Sequence, residues 1–194
     1  LRSRGLGDVY KRQHPNEEPI EVIKKMKQTD NFKFDEANVM NELVYRNLSE
    51  DAKRQICAWK YGGEYDLYNL PSYEEMQVRQ IGFMNPKSEK NYYGFWDKSI
   101  LVGFVNILEE KEEVFIGIGV NPDLCNKHYG QRMLSITYEI SKKLYPNKPL
   151  YLEVRTWNIR AIKCYQKAGF RIDGQAYELT TGIGTGTFYR MIRE

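Results

Sequence analysis

The sequence predicts an α/β domain in which a mixed central β-sheet is flanked by helices. Three observations support this. Residues 92–120 hold three strand-like runs joined by short charged links, as in an antiparallel meander. A long amphipathic segment comes next and is stopped by Pro146. Residues 152–170 then read as a strand, a capped helix and the beginning of another strand.

A chain of 194 residues suits one domain with a sizeable core, and 41% hydrophobic with 13% aromatic residues argues for a folded globule. Mean hydropathy is −0.65. No run approaches the roughly 18 apolar residues that a spanning helix needs, and no apolar secretion signal opens the chain, so a soluble, cytoplasmic protein is expected. Cys57, Cys125 and Cys164 are odd in number and widely spaced, which predicts free thiols with a structural or incidental role and no metal.

Residues 1–13 stand apart. The chain starts without Met, and Gly7-Asp8-Val9-Tyr10-Lys11-Arg12-Gln13 looks like the in-frame translation of a sequencing adapter, so this tail is expected to be non-native. It holds Arg2, Arg4, Lys11 and Arg12 against Asp8, so the formal charge of +3 falls to zero without it. Charge therefore gives no reason to expect a nucleic-acid or membrane partner. Residues 14–39 form an extension of uncertain character, with a short helix possible at 19–28 through Ile20, Ile23 and Met26. Met40 is a candidate start, and residues 40–194 make up the domain.

Within the domain, residues 42–47 read as a strand. Ser49 caps a helix running through Trp59, with acids in its first turn. An aromatic and glycine-rich loop spans residues 61–71, and Ser72 caps a second helix ending near Gly82. Strands follow at 92–96, 99–108 and 113–120. The long helix is expected from about Lys127 to Leu144, burying Met133, Ile136, Thr137, Ile140 and Leu144. A strand at 150–155 leads to a helix at 158–168, which Asn158 caps, which Ala161, Ile162, Tyr165 and Ala168 anchor, and which Gly169 ends. Residues 170–180 and 187–192 form a final hairpin. Its Gly182-Ile183-Gly184-Thr185-Gly186 turn is no phosphate loop, because no helix follows it.

The pattern L-E-V-x-x-x-N-x-x-A-I-x-x-Y-x-K-x-G-F at 152–170 resembles the acetyl-CoA-binding half of the GNAT superfamily of N-acetyltransferases. The element order matches that fold, also called the acyl-CoA N-acyltransferase fold, from about Leu43 to the C-terminus. A second segment agrees: a strand ending in V-x-P at residues 115–122, then Cys125-Asn126-Lys127-His128-Tyr129-Gly130. In the family an R/Q-x-x-G-x-G/A loop here wraps the CoA pyrophosphate, at a helix start where free N–H groups converge on the anion. Here Gly130 holds the second glycine position, His128 the first, and Cys125 stands where Arg or Gln is usual.

The resemblance implies acetyl-CoA as co-substrate, bound by Ile118, Gly119, Val120, Asn126, Lys127, His128, Tyr129, Gly130, Gln131, Arg132, Asn158 and Tyr165. Tyr165, which helix spacing alone would place in the core, becomes the general acid for the leaving thiolate. Glu153, on the face opposite Leu152 and Val154, becomes a candidate base, with Glu64 or water as alternatives. Glu113 is a weaker candidate. Tyr61, Glu64, Tyr65 and Glu153 would receive the amine acceptor, with Trp59 and Tyr68 as aromatic neighbours. The implied activity is acetyl transfer by direct attack in a ternary complex, to a small amine or a protein N-terminus. A non-catalytic CoA-binding or interaction module is the alternative, and the chain is expected as monomer or homodimer.

Overall fold

The computed structural model describes residues 43–194. The expectations for the adapter-like tail, the 14–39 extension and Met40 lie outside the described residues. Strand β1 (Val44–Asn47) opens the domain, followed by helices α1 (Glu50–Ala58) and α2 (Tyr73–Arg79). The meander is β2 (Tyr92–Asp97), β3 (Ile100–Glu109) and β4 (Val114–Val120). Then come α3 (Tyr129–Leu144), β5 (Leu150–Arg155), α4 (Ile159–Lys167), and β6 (Arg171–Ile172), β7 (Tyr177–Thr181) and β8 (Gly184–Arg193).

Local chemistry accounts for the helix starts. Ser49 Oγ accepts from Ala52 N at 3.3 Å, Ser72 Oγ from Glu75 N at 3.1 Å, and Asn158 Oδ1 from Ala161 N at 3.1 Å. Each cap satisfies one amide that the first turn leaves without an internal acceptor. The aromatic loop is more ordered than expected: Gly63–Tyr68 forms a 3₁₀ helix. The last hairpin differs too. Gly184 to Gly186 belong to β8, the turn is Gly182-Ile183 alone, and β6 and β7 both pair with β8.

The eight strands run β1-β2-β3-β4-β5-β8-β6, with β7 also on β8. Every pairing is antiparallel except β4 with β5, which the α3 crossover makes parallel. That pair is short: Val114 faces Leu150, Phe115 faces Tyr151, and there it ends. Beyond it, β3 continues to hold β4 as far as Val120, and β8 holds β5 as far as Arg155. Two strands supported from outside thus part on their inner edges.

Most of the core lies between the sheet and helices α3 and α4, where Val105, Ile116, Met133, Leu134, Leu152 and Met191 are sealed from solvent. A second cluster joins α1 and α2 to the first strands through Ile56, Met76, Phe83, Trp96 and Leu101. Helix α3 starts at Tyr129 rather than Lys127, and its most buried line is Gly130, Met133, Leu134, Thr137 and Ser141. Ile136, Ile140 and Leu144 pack from the sides. The stripe thus takes in the small residues Gly130, Thr137 and Ser141. A Cβ on Gly103 would sit 2.6 Å from the Met133 thioether and 2.6 Å from the Gly119 carbonyl.

Gly103→Ala is therefore expected to lower stability by about 1–3 kcal/mol through overpacking against backbone. Gly117→Ala, whose new methyl would meet Asn106 Cβ at 3.4 Å and the Phe115 ring at 3.7 Å, should cost less. Denaturant unfolding of the two variants checks the contrast, and equal losses would refute it.

Candidate active site

The gap between β4 and β5 is lined by backbone before side chains. Asn121 N donates to Val102 O at 2.9 Å, so the alternation of the antiparallel ladder turns the polar groups of Gly119 and Gly117 toward β3. Those of Ile116, Ile118 and Val120 face the gap. On the other side Thr156 N donates to Thr187 O at 3.0 Å, which by the same alternation turns Glu153 backbone groups toward the gap. A cavity of about 750 Å³ occupies this opening. Its walls are β4, β5, the 3₁₀ segment, the loop before α3, helix α4 and the tip of the β7–β8 hairpin.

One end of the cavity meets the start of α3. His128 occupies the cap position without a side-chain cap bond, and both Asn126 and His128 hold left-handed backbone at φ 64° and 62°. Arg132 N, donating to His128 O at 3.1 Å, is the first amide in the helix to find an internal acceptor. The amides from Asn126 to Gln131 find none among the described residues, and a helix start of this kind attracts anions. Gly130 also lines the cavity, yet a Cβ there would lie 3.0 Å from Cys164 Sγ. Its lack of a side chain lets α3 approach α4.

Tyr165 projects from α4 into the cavity wall. Burial pushes its phenol well above the usual range, with Cys164, Tyr68 and Tyr61 adding to the effect and Arg160 opposing it. The described residues offer its hydroxyl no hydrogen bond. Tyr61 Oη donates to Val120 O at 2.6 Å, tying the aromatic loop to the end of β4, and burial pushes its pKa up to about 12. Asn158 is buried; besides capping α4 it donates from Nδ2 to Tyr68 Oη at 3.3 Å. Glu153 lies half-buried opposite Leu152 and Val154, where Oε1 accepts from Tyr177 Oη at 2.6 Å.

The structure thus brings Tyr165, Glu153, Tyr61, Asn158, Ile118, Gly119, Val120, Asn126, His128, Tyr129, Gly130 and Gln131 to one cavity. Lys127, Arg132, Glu64 and Tyr65 are not among its lining residues. Lys127 and Glu64 are exposed, Arg132 lies 5.5 Å from the Tyr129 ring centre, and Tyr65 packs on Trp157 at 5.6 Å beneath Arg160. Trp59 both lines the cavity and packs on Phe104 at 6.2 Å. Glu113 is held by Arg190, away from the lining.

Sequence reasoning missed four cations that line the cavity. Arg160, Lys163 and Lys167 recur at i, i+3 and i+7 on α4, a helical period that was readable. Arg155 follows Glu153 by two residues, which on a strand means the same face. Cys125 and Cys164 also line the cavity; Cys57 is buried elsewhere, and all three are free thiols with pKa values raised by burial. The described residues contain no metal-ligand cluster and no helix long and apolar enough to cross a membrane.

Residues 54–170 match the Acetyltransferase (GNAT) family. The chain belongs to that family. None of the curated proteins compared gives a match. Among solved structures, a spermidine N-acetyltransferase chimera from Vibrio cholerae and hSSAT is 20% identical, with a TM-score of 0.61 over 78% of this chain and 94% of that one. The ribosomal-protein-alanine N-acetyltransferase of Escherichia coli is 19% identical, with a TM-score of 0.54 over 78% and 93%. An aminoglycoside acetyltransferase held with ribostamycin and coenzyme A is 16% identical, with a TM-score of 0.61 over 79% and 93%. At these identities the likeness is one of fold.

Tyr61→Phe removes the bond to Val120 O and is expected to cost about 1–3 kcal/mol by leaving that carbonyl without its partner. Because its folded pKa of about 12 exceeds the unfolded value near 10, this contribution is complete below about pH 10. It is lost as pH rises toward 12. Denaturant titrations at pH 8, 10 and 12 should show a shallower alkaline loss in the variant than in the parent. Parallel losses would show that Tyr61 is not coupled to folding.

Proposed function

We propose that the chain transfers the acetyl group of acetyl-CoA to a primary amine by direct attack within a ternary complex. The observation that carries this reading is that Tyr165 from α4 and Glu153 from β5 line one cavity, at the place where β4 and β5 part.

The residues present suit acetyl-CoA. The free edges of β4 and β5 offer backbone donors and acceptors to an amide-bearing arm. The uncapped start of α3, with Asn126 to Gln131, offers amides to phosphate, and Arg160, Lys163 and Lys167 supply positive charge on the same side. Bound there, acetyl-CoA supplies the activated acyl group. In this reading Ile118, Gly119 and Val120 form the edge beside the reacting carbonyl, and Val120 N–H acts as its hydrogen-bond donor. Asn158 orients α4 and the loop residue Tyr68 together.

Glu153 Oε1 takes the proton of the attacking amine. That step is needed because an alkyl ammonium has a pKa of about 10.4 and is almost wholly protonated at neutral pH. Tyr165 Oη holds the proton that the departing sulfur needs, and its raised pKa keeps that proton in place through neutral and mildly alkaline pH. The acceptor is a small amine or a polypeptide N-terminus, for which the aromatic walls Trp59, Tyr61 and Tyr68 leave room.

Release of free CoA from acetyl-CoA in the presence of an amine panel tests the activity. Tyr165→Phe should lower kcat by about 10²-fold or more with little change in KM. Glu153→Gln should flatten the rising limb of the pH–rate profile. Parent-like rates in both variants would refute the assigned roles. Departures at Cys125 and His128 favour one other reading, a CoA-binding module, and saturable acetyl-CoA binding with no turnover on any amine would establish it instead.

A further inference from the structure

Among the described residues, Arg155 is the one cation of the cavity lining that is almost fully enclosed, at 8% exposure. Its guanidinium turns back under the β7–β8 hairpin. Nη1 donates to Thr185 O at 3.3 Å, Nη2 donates to Gly184 O at 3.2 Å, and the group lies 4.9 Å from the Phe188 ring centre. Nε is buried with no acceptor. Gly186 makes the space: a Cβ there would stand 1.9 Å from Nη1. Among the described residues no carboxylate forms an ion pair with Arg155. Arg190, two residues on from Phe188, contrasts with it by pairing with both Glu113 and Asp173.

A buried guanidinium that lacks a counter-anion gives up its hydration with no charge to offset the loss. Two long bonds to neutral carbonyls and one aromatic ring soften that cost but leave the unit charge uncompensated. Arginine has five N–H donors in a planar fork suited to a carboxylate, and two are used here. Glu153 and Arg155 lie on one face of β5, about 7 Å apart along the strand by its rise per residue. The cavity lining therefore includes a carboxylate and, enclosed beneath the hairpin, a guanidinium with no counter-anion, two positions apart on one face of β5.

We infer that the acceptor is a zwitterion of the amino-acid type, its amine directed toward Glu153 and its carboxylate held by Arg155. This rests on the acetyl-transfer reading above and adds the substrate class. A polyamine would bring a second positive charge against Arg155 and be disfavoured.

The test uses the full chain, acetyl-CoA and matched acceptors: a panel of amino acids, their amides, the corresponding decarboxylated amines, the aminoalkyl phosphates and spermidine. The expected result is a kcat/KM at least about tenfold higher for some amino acid than for its amide and its amine. Arg155→Gln should raise KM for that amino acid while sparing the amide, bringing the ratio toward one, and Arg155→Lys should restore part of it. The parent comparison decides the matter even where Arg155→Gln fails to fold. Equal use of acid and amide, or preference for spermidine, would overturn the inference while leaving acetyl transfer intact. Preference for an aminoalkyl phosphate over its amino acid would overturn the carboxylate assignment. Absence of CoA release with every amine of the panel would overturn the acetyl-transfer reading, and this inference with it.

Discussion

The structure depends on two parallel strands that pair for two residues and then separate. A strand edge left unpaired inside a domain is costly unless its amides and carbonyls find partners. Here the cost is contained because β3 and β8 hold the outer edges of β4 and β5 over their full lengths, so neither strand can swing to close the gap. Tyr61 occupies one of the open groups, the carbonyl of Val120, and in doing so fixes the aromatic loop over the opening. The same opening positions α4, since β5 leads directly into the Asn158 cap. The cavity, the tyrosine on α4 and the carboxylate on β5 all follow from that separation.

Much of this was legible in the sequence, because the relevant signals are local. Ser49, Ser72 and Asn158 are capping residues placed before apolar helical periods, and each caps its helix. The bounds of β5 come directly from the Leu150, Leu152 and Val154 alternation, which also puts Glu153 on the opposite face. Less legible were features set by packing between elements. The buried line on α3 runs through Met133, whose thioether packs on Gly103, and takes in Gly130, Thr137 and Ser141 rather than only the most apolar side of the helix. Gly130 resembles a phosphate-loop glycine by position, while a Cβ there would also crowd Cys164 Sγ, at 3.0 Å across the α3–α4 contact.

The placement of charge shows the same division. Lys127 and Arg132 adjoin the helix start in sequence, yet three of the four lining cations come from α4, spaced i, i+3 and i+7. Proximity along the chain is a poor guide when the partner element arrives through a crossover. Arg155 was hidden for a different reason. Its neighbours Leu152 to Val154 carried the family pattern, and a strand arginine is ordinarily read as exposed. The glycine that makes room for it, Gly186, lies on β8, far along the chain from β5.

The loop before α3 shows what departure from a glycine pattern costs. A phosphate loop needs a backbone path on which consecutive amides point outward, and glycine is the usual means because it takes positive φ without strain. In this chain Asn126 and His128 take that path at φ 64° and 62°. Asparagine and histidine tolerate the left-handed region better than most residues, yet each carries up to about 1–2 kcal/mol of strain there that glycine would not. Strain of this size persists only where the surroundings enforce it. The enforcing contacts lie on both sides: Asn121 turns the chain after β4 by accepting from Asp123 N and Leu124 N, and Tyr129 anchors the helix start to Asp97. The left-handed turns at 126 and 128 are therefore held by the fold around them rather than granted by glycine.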